Sequence, residues 1–188
     1  MKKEITEPAK LIYEAMTKLL QTKSIESLTV NDIICTSGVS RATFYRHFLD
    51  KYDVMTSYYK SILETTLFTF NEGVPWRDAV CSIYGVIKDN PKFFQNAFRC
   101  EDANSLKCYI FKMSREFHLD ILRRNGVDTS DWRVVMALES HIYGDLEITD
   151  RWIMSGMKEP VEELVDVFTM GIPSAFVKYF RGAESETL

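Results

Sequence analysis

The chain has 188 residues, 46% apolar and 27% charged, with a formal net charge of −4. That balance suits a globular protein and excludes a disordered chain, which has fewer apolar residues and a larger charge imbalance. No apolar run approaches the roughly 20 residues that span a bilayer, and the polar start over residues 1–8 has no apolar stretch behind it, so a cytoplasmic chain without a secretory signal is expected.

The predicted elements are helices from end to end. Thr6 is placed as an N-cap, with Pro8 just inside a first helix where Leu11, Ile12, Ala15, Met16, Leu19 and Leu20 recur at three- and four-residue spacing. The polar residues 21–27 end it. Thr29 caps a short helix over 30–36, with Asp32 completing a capping box and Leu28 and Ile33 forming a hydrophobic staple. Gly38 breaks that helix, and Ser40 caps a third over 41–48. Asp50 caps a fourth that passes Val54, Tyr58, Ile62 and Leu67 towards Gly73. Pro75 opens a helix through Ile87, and Asn90-Pro91 opens a short aromatic one with Phe93, Phe94 and Phe98. A helix from about Asn104 reaches Arg124 and stops at Asn125-Gly126. Ser130 caps a long helix over 131–154. Pro160 opens the last, through Tyr179, which Gly171 and Pro173 bend or interrupt because proline removes a helix hydrogen bond. Nine or ten helices and no strand are expected, an all-α fold.

Charge is unevenly placed. Residues 1–51 hold eight Lys/Arg against six Asp/Glu, whereas the remainder holds 15 against 21. A small basic end on an acidic body is a place to look for nucleic-acid binding. Within it, residues 28–53 read as two short helices separated by Thr36-Ser37-Gly38-Val39, a helix-turn-helix whose glycine supplies the positive φ of a tight turn. Phe44 and Phe48, four apart, mark the inner face of the second helix. Its other face carries Arg41, Thr43, Arg46 and His47, with Ala42 and Tyr45 beside them. Arg bonds guanine edges or phosphates, Thr offers a hydroxyl and a methyl, and Tyr bonds phosphate. Eight helical residues rise about 12 Å, the width of a major groove. The cap at Ser40 leaves backbone N–H groups near the insertion point, which favours phosphate. Lys51, in the first turn of the next helix, is expected beside the same phosphates.

Here the sequence resembles the TetR family of bacterial transcription regulators. The resemblance rests on Thr29-Val30-Asn31-Asp32-Ile33, on the run from Ser37 to Phe48 (Ser-Gly-Val-Ser-Arg-Ala-Thr-Phe-Tyr-Arg-His-Phe), and on Lys51. It implies a three-helix DNA-binding head over residues 1–51 and a larger helical-bundle domain for ligand sensing and dimerisation over 52–188. It further implies a homodimer made by helices at about 131–154 and 160–179, reading a palindromic double-stranded operator. By that resemblance Thr29, Arg41, Thr43, Tyr45, His47 and Lys51 fall where the family contacts DNA; Ser40, Ala42 and Arg46 complete the candidate set. Two departures, Ala42 where the family often has Gly and Tyr52-Asp53-Val54 where an acidic pair and leucine are usual, bear on packing more than on DNA. The C-terminal part is similar to shorter-bodied members related to the dihydroxyacetone-kinase activator, in which a protein partner supplies the signal.

Control by an effector is thus expected, from a small molecule or from a protein partner, with repression the expected sense. His47 suits either a DNA contact or a buried ring bonded to backbone. His118 and His141 lie on different predicted helices, without metal-ligand spacing, so no metal or cofactor is expected. Cys35, Cys81, Cys100 and Cys108 form no C-x-x-C pair and are expected as reduced, partly buried thiols. Asp145, Glu147 and Asp150 read as a solvated face, and the aromatics from Trp76 to Trp132 as mostly core. Val134, Leu138, Ile142 and Ile153 form one apolar stripe and Val161, Leu164, Val165, Phe168 and Ile172 another, which could serve core or dimer alike. No nucleophile–base pair, Gly-rich phosphate loop or metal pattern suggests an enzyme.

Overall fold

A computed structural model describes residues 5–180; residues 1–4, part of the polar start discussed above, lie outside the described residues. Ten α-helices follow one another, with no strand among the described residues: α1 (Glu7–Leu19), α2 (Val30–Ser37), α3 (Arg41–His47), α4 (Lys51–Thr65), α5 (Trp76–Asp89), α6 (Pro91–Phe98), α7 (Leu106–Arg124), α8 (Trp132–Met154), α9 (Val161–Gly171) and α10 (Val177–Phe180). A 3₁₀ segment, Leu67–Glu72, follows α4.

The punctuation follows from local chemistry. Thr29 and Asp32 form the full reciprocal capping box that opens α2, and the staple residues Leu28 and Ile33 are both buried. Gly38 ends α2 at φ 72°, in the left-handed region where a Cβ is penalised. Thr6 occupies the N-cap of α1 but its side chain makes no capping bond. Within that helix Ile12, Ala15, Met16 and Leu20 are buried, whereas Leu11 sits at the stripe's edge and is exposed.

Two boundaries differ from expectation, and a third falls where Gly171 and Pro173 were expected to interrupt the last helix. α4 ends at Thr65 rather than running on, because the Thr65 and Thr66 hydroxyls both donate to the Ile62 carbonyl and compete with the helix ladder. Asp131, not Ser130, caps α8: its carboxylate accepts the Arg133 N–H, while Ser130 is held by Asp128. The predicted last helix is broken at Ile172-Pro173 into α9 and α10.

The head packs α1 against α2 and α3. α4 leans back on α1 and forward on α5 and α7, so it joins head to body. α7 and α8 run antiparallel, shown by the order of their cross-pairs: Lys107 with Asp150 (3.4 Å), Phe111 stacked on Tyr143 (4.2 Å), Arg115 with Glu139 (2.7 Å). α5 lies along α9, tied at its start by Arg77 to Asp166 at 2.9 Å. One hydrophobic cluster runs through the whole, from Phe44 and Phe48 to Phe180.

The apolar stripes resolve in favour of the core. Leu138, Ile142 and Ile153 of α8, and Val161, Leu164, Val165, Phe168 and Ile172 at α9, are buried within the subunit. The outward apolar residues are others: Trp132, Met136 and Tyr143 on α8, Val167 and Met170 on α9. Trp132, expected in the core, is 68% exposed because it occupies the first, outward position of α8. Cys35 and Cys108 are exposed rather than partly buried, and all four thiols are free.

Candidate nucleic-acid interface and body cavity

The head presents α3 as a short rod. Ser40 Oγ accepts the Thr43 N–H at 3.0 Å and donates to Thr43 Oγ1 at 2.9 Å, fixing both ends of the first turn. Phe44 is fully buried, meets Tyr45 edge-on and lies tilted against Phe48, which orients the rod about its axis. Arg41, Ala42, Tyr45 and Arg46 face outward, with Tyr45 47% exposed; Thr43 is half-buried. The Arg41 guanidinium lies over the Tyr45 ring, 5.3 Å from its centroid, and donates to the Tyr45 hydroxyl at 3.5 Å. Two side chains suited to DNA are thereby pre-arranged beside each other.

His47 is half-buried, its ring 6.3 Å from Phe48 in a groove shared with Ile5, Thr6 and Tyr13; it is not buried in the core. Thr29 is exposed, but its hydroxyl is engaged in the capping box, donating to Asp32 at 2.7 Å. Those bonds hold the Asp32 carboxyl down at about 2. Lys51 has a role that the sequence did not suggest. Its ammonium donates to the carbonyls of Glu26 and Leu28, both at 2.8 Å, and so ties the start of α4 to the loop before α2. Of its three N–H groups, one is left over.

The body encloses a cavity of about 90 Å³ among α4, α5, α7, α8 and α9. Its wall is aromatic and aliphatic, including Tyr59, Phe68, Trp76, Tyr84 and Phe168. Its polar groups are few. His118 Nδ1 lies 2.6 Å from the Ser114 carbonyl, to which it donates, leaving Nε2 as the acceptor; burial pushes the ring's pKa down to about 4. The Tyr84 hydroxyl lies 2.8 Å from Thr149 Oγ1, which donates to the Asp145 carbonyl. His141 Nε2 lies 3.4 Å from Asp145 Oδ2. Burial lowers the His141 pKa and raises that of Asp145 to about 8. Gly171 of α9 packs beside this pair, and a Cβ there would make ordinary contact with His141 Nδ1 at 3.4 Å.

Asp145 therefore does not belong to a solvated face. Asp150 does not either, since it pairs with Lys107; Glu147, paired with Arg151 at the surface, does. His118 and His141, on different helices, come within 6.5 Å ring to ring. No group of three or more His, Cys, Asp and Glu suited to a metal ion occurs among the described residues.

Cavity and head are in contact through packed groups. Tyr13 of α1 meets Phe48 at 5.6 Å and Tyr58 of α4 at 5.5 Å, and Tyr58 meets Phe93 of α6 at 5.2 Å. The Asn96 amide of α6 donates to the Leu20 carbonyl at the end of α1, at 2.7 Å.

Known proteins place this architecture. A sequence model described as "Bacterial regulatory proteins, tetR family" matches residues 12–57, and one described as "Transcriptional regulator C-terminal region" matches 75–172, more than half the chain. The chain belongs to the TetR family of bacterial transcriptional regulators. TetR-family regulators bind DNA operators and dimerise. One relative is the HTH-type dhaKLM operon transcriptional activator DhaS of Lactococcus lactis subsp. lactis, 24% identical over 98 residues, which is 52% of this chain and 52% of that one. The match thus spans about half the length of that curated relative. Similar solved structures include a TetR transcriptional regulator from Streptococcus agalactiae 2603V (TM-score 0.66, 21% identity, 90% and 96% of the two chains). Another is the dihydroxyacetone kinase operon activator DhaS (TM-score 0.63, 18% identity, 93% and 98%). A third is the regulator FadR from Bacillus subtilis in complex with stearoyl-CoA (TM-score 0.57, 15% identity, 87% and 97%). At these identities the structural likeness establishes a shared TetR fold.

Sequence reasoning missed the polar group His118, His141, Asp145, Tyr84 and Thr149. One signal was present: His141 and Asp145 are four apart on one helix, and so share a face. Nothing local connects that face to His118 or Tyr84.

Proposed function

We propose that the chain is a cytoplasmic, homodimeric regulator that reads a palindromic operator with α3 and releases or engages it when a small effector enters the body cavity. The functional division runs at the start of α4, with residues 1–51 reading DNA and 52–188 sensing and pairing. Arg41, Ala42, Thr43, Tyr45, Arg46 and His47 face the groove. Ser40 and the neighbouring backbone N–H groups meet phosphate, Thr29 lies at the flanking backbone, and Lys51 gives its remaining N–H to a phosphate. The reading is carried by the exposed Arg41–Tyr45 pair on a rod whose opposite face is locked by Phe44.

The dimer uses α8 and α9 by their outward faces. Trp132, Met136 and Tyr143 with Val167 and Met170 make an apolar surface that a second copy would cover. Two-fold symmetry then sets the half-sites about 34 Å, or a multiple of that, apart. The cavity, at about 90 Å³, is smaller than the roughly 150 Å³ that holds a benzene, which favours a small effector over a long acyl thioester. An effector acts by differing affinity for the two arrangements of the dimer. Selection of bound duplexes from a random pool tests the reader and the dimer together. A palindrome with one-turn or two-turn half-site spacing, bound by a particle of twice the chain mass in light scattering, is expected. A non-palindromic site bound by a monomer would sink the reading, as would a stoichiometric protein partner that alone controls DNA release.

A further inference from the structure

Every cation that an ion pair places in the body is already committed. Lys107 pairs with Glu101 and Asp150, Arg115 with Glu116 and Glu139, Arg77 with Asp166, and Arg151 with Glu147. Asp145 has no such partner. Its ion-pair distance is to a histidine, His141, whose side chain is only 5% exposed and which burial keeps neutral. Among the residues lining the cavity there is no Lys or Arg, and Asp145 is the single carboxyl. The cavity thus has one acidic group, no fixed positive charge, and a wall of electron-rich rings, including Trp76, Tyr59, Tyr84 and Phe168. An anionic ligand would lose its hydration and find no counter-charge. A neutral ligand would leave Asp145, whose side chain is 29% exposed, without a counter-charge. A cation gains the carboxylate and the ring faces together.

Taking the cavity as the effector site, we infer that it binds a small organic cation, a protonated amine of a few heavy atoms, with Asp145 as its counter-ion and the aromatic wall around its carbon chain. His118 Nε2 and Tyr84 Oη are positioned on the same wall to take further N–H groups.

The chemistry predicts a pH signature. The groups facing Asp145 are His141 from its own helix, His118 from α7, Tyr84 from α5 and Tyr59 from α4, while α9 contributes Thr169 and no charge. Burial holds both histidines below, and both tyrosines above, their ordinary ranges, so all four stay neutral near pH 7. The empty-site carboxyl holds its proton up to about pH 8. The ammonium takes the carboxylate form, so binding expels one proton, and affinity rises as the pH increases from 6 to 8.

The test is calorimetry and thermal shift on the full chain with ethylammonium, ethanol and propionate, which share an ethyl chain and differ in charge. The ammonium is expected to bind at least about tenfold more tightly than the alcohol, and propionate more weakly than both. Buffers of different ionisation enthalpy should report a proton released on ammonium binding below pH 8. Asp145→Asn should cost the ammonium at least about tenfold and leave the alcohol unchanged. Operator binding in a gel shift confirms that the variant is folded. Propionate or ethanol binding as well as the ammonium, an unchanged affinity in the Asn variant, or no binding by any of the three would overturn the inference. Ammonium binding without any change in operator affinity would leave this inference standing and remove the effector role. Release of DNA by a different small molecule, with no ammonium binding, would do the reverse.

Discussion

The reading head and the regulatory body are held together by different kinds of contact. In the head the caps that open the helices of the site span three residues: Thr29 to Asp32, Ser40 to Thr43, Asp50 to Asp53. In the body the pairs that tie one helix to another span from 24 to 89: Arg115 to Glu139, Lys107 to Asp150, Tyr84 to Thr149, Arg77 to Asp166. A DNA reader must hold one geometry against a fixed lattice of bases, and short-range caps supply that stiffness cheaply. A sensor must let several helices move relative to one another, and long-range pairs between helices are the contacts that such movement can make or break.

The largest expected effect tests the head's stiffness. Phe44→Ala should cost about 3–5 kcal/mol, because a fully buried ring is replaced by a cavity, and urea unfolding should show it. An effect confined to DNA binding, with stability intact, would mean that Phe44 is not what sets the rod. Arg41→Ala comes next and should do the opposite. Operator affinity should fall by about 1–3 kcal/mol in a titration at fixed salt, with the thermal midpoint unchanged, because Arg41 is exposed.

Lys51→Ala probes a head contact that is not local, spanning more than 20 residues. Loss of two charge-assisted bonds should lower stability by about 1–2 kcal/mol. If its third N–H reaches a phosphate, the slope of log affinity against log salt should also drop by about one. An unchanged slope would confine Lys51 to holding the loop. Asn96→Ala, by contrast, removes a single neutral bond between α6 and α1, worth about 1 kcal/mol. Its informative readout is a weakened effect of any effector on operator affinity.

The smallest effect is a pH dependence in the body. Asp145 is protonated in the folded chain up to about pH 8, whereas an unfolded aspartate ionises near 3.9, so its stabilising contribution is present below that value and is lost as pH rises to 8. Asp145→Asn should therefore raise the midpoint at pH 8 by roughly 2–4 °C and change nothing near pH 4. His118 runs the other way. Held down to about 4 against an unfolded value of about 6.5, it contributes stability above 6.5 that is lost as pH falls through 4. Between about pH 4 and 6.5 the two contributions offset one another, so the net loss from this pair should appear as pH rises from about 6.5 to 8.

What could be read from the sequence follows the same division. The capping box, Gly38, Ser40 and the Phe44/Phe48 face are written within a few residues of one another, and the head's helices came out within a residue of their ends. Helix content in the body was also legible, because periodicity and Pro/Gly punctuation are local. The error at Thr65–Thr66 arose because hydroxyl back-bonding leaves no periodic trace. The stripes on α8 and α9 were visible, but whether an apolar face meets its own subunit or a copy is settled by neighbours as distant as Arg77 is from Asp166, 89 residues away. For the same reason Asp145 looked solvated: its neighbours Glu147 and Arg151 are on the surface, and only the approach of α7 and α9 encloses it.

The bond from Lys51 to the loop carbonyls has a mechanical consequence. With its first turn pinned to the head, α4 cannot pivot by itself; it swings as a lever with α3 attached. Fifteen residues make an arm about 22 Å long. A tilt of about 10° at the cavity end then carries the reading rod by roughly 4 Å, more than any hydrogen bond to a base edge tolerates. A molecule of a few atoms, wedged between helices, would suffice to lift a protein from its operator.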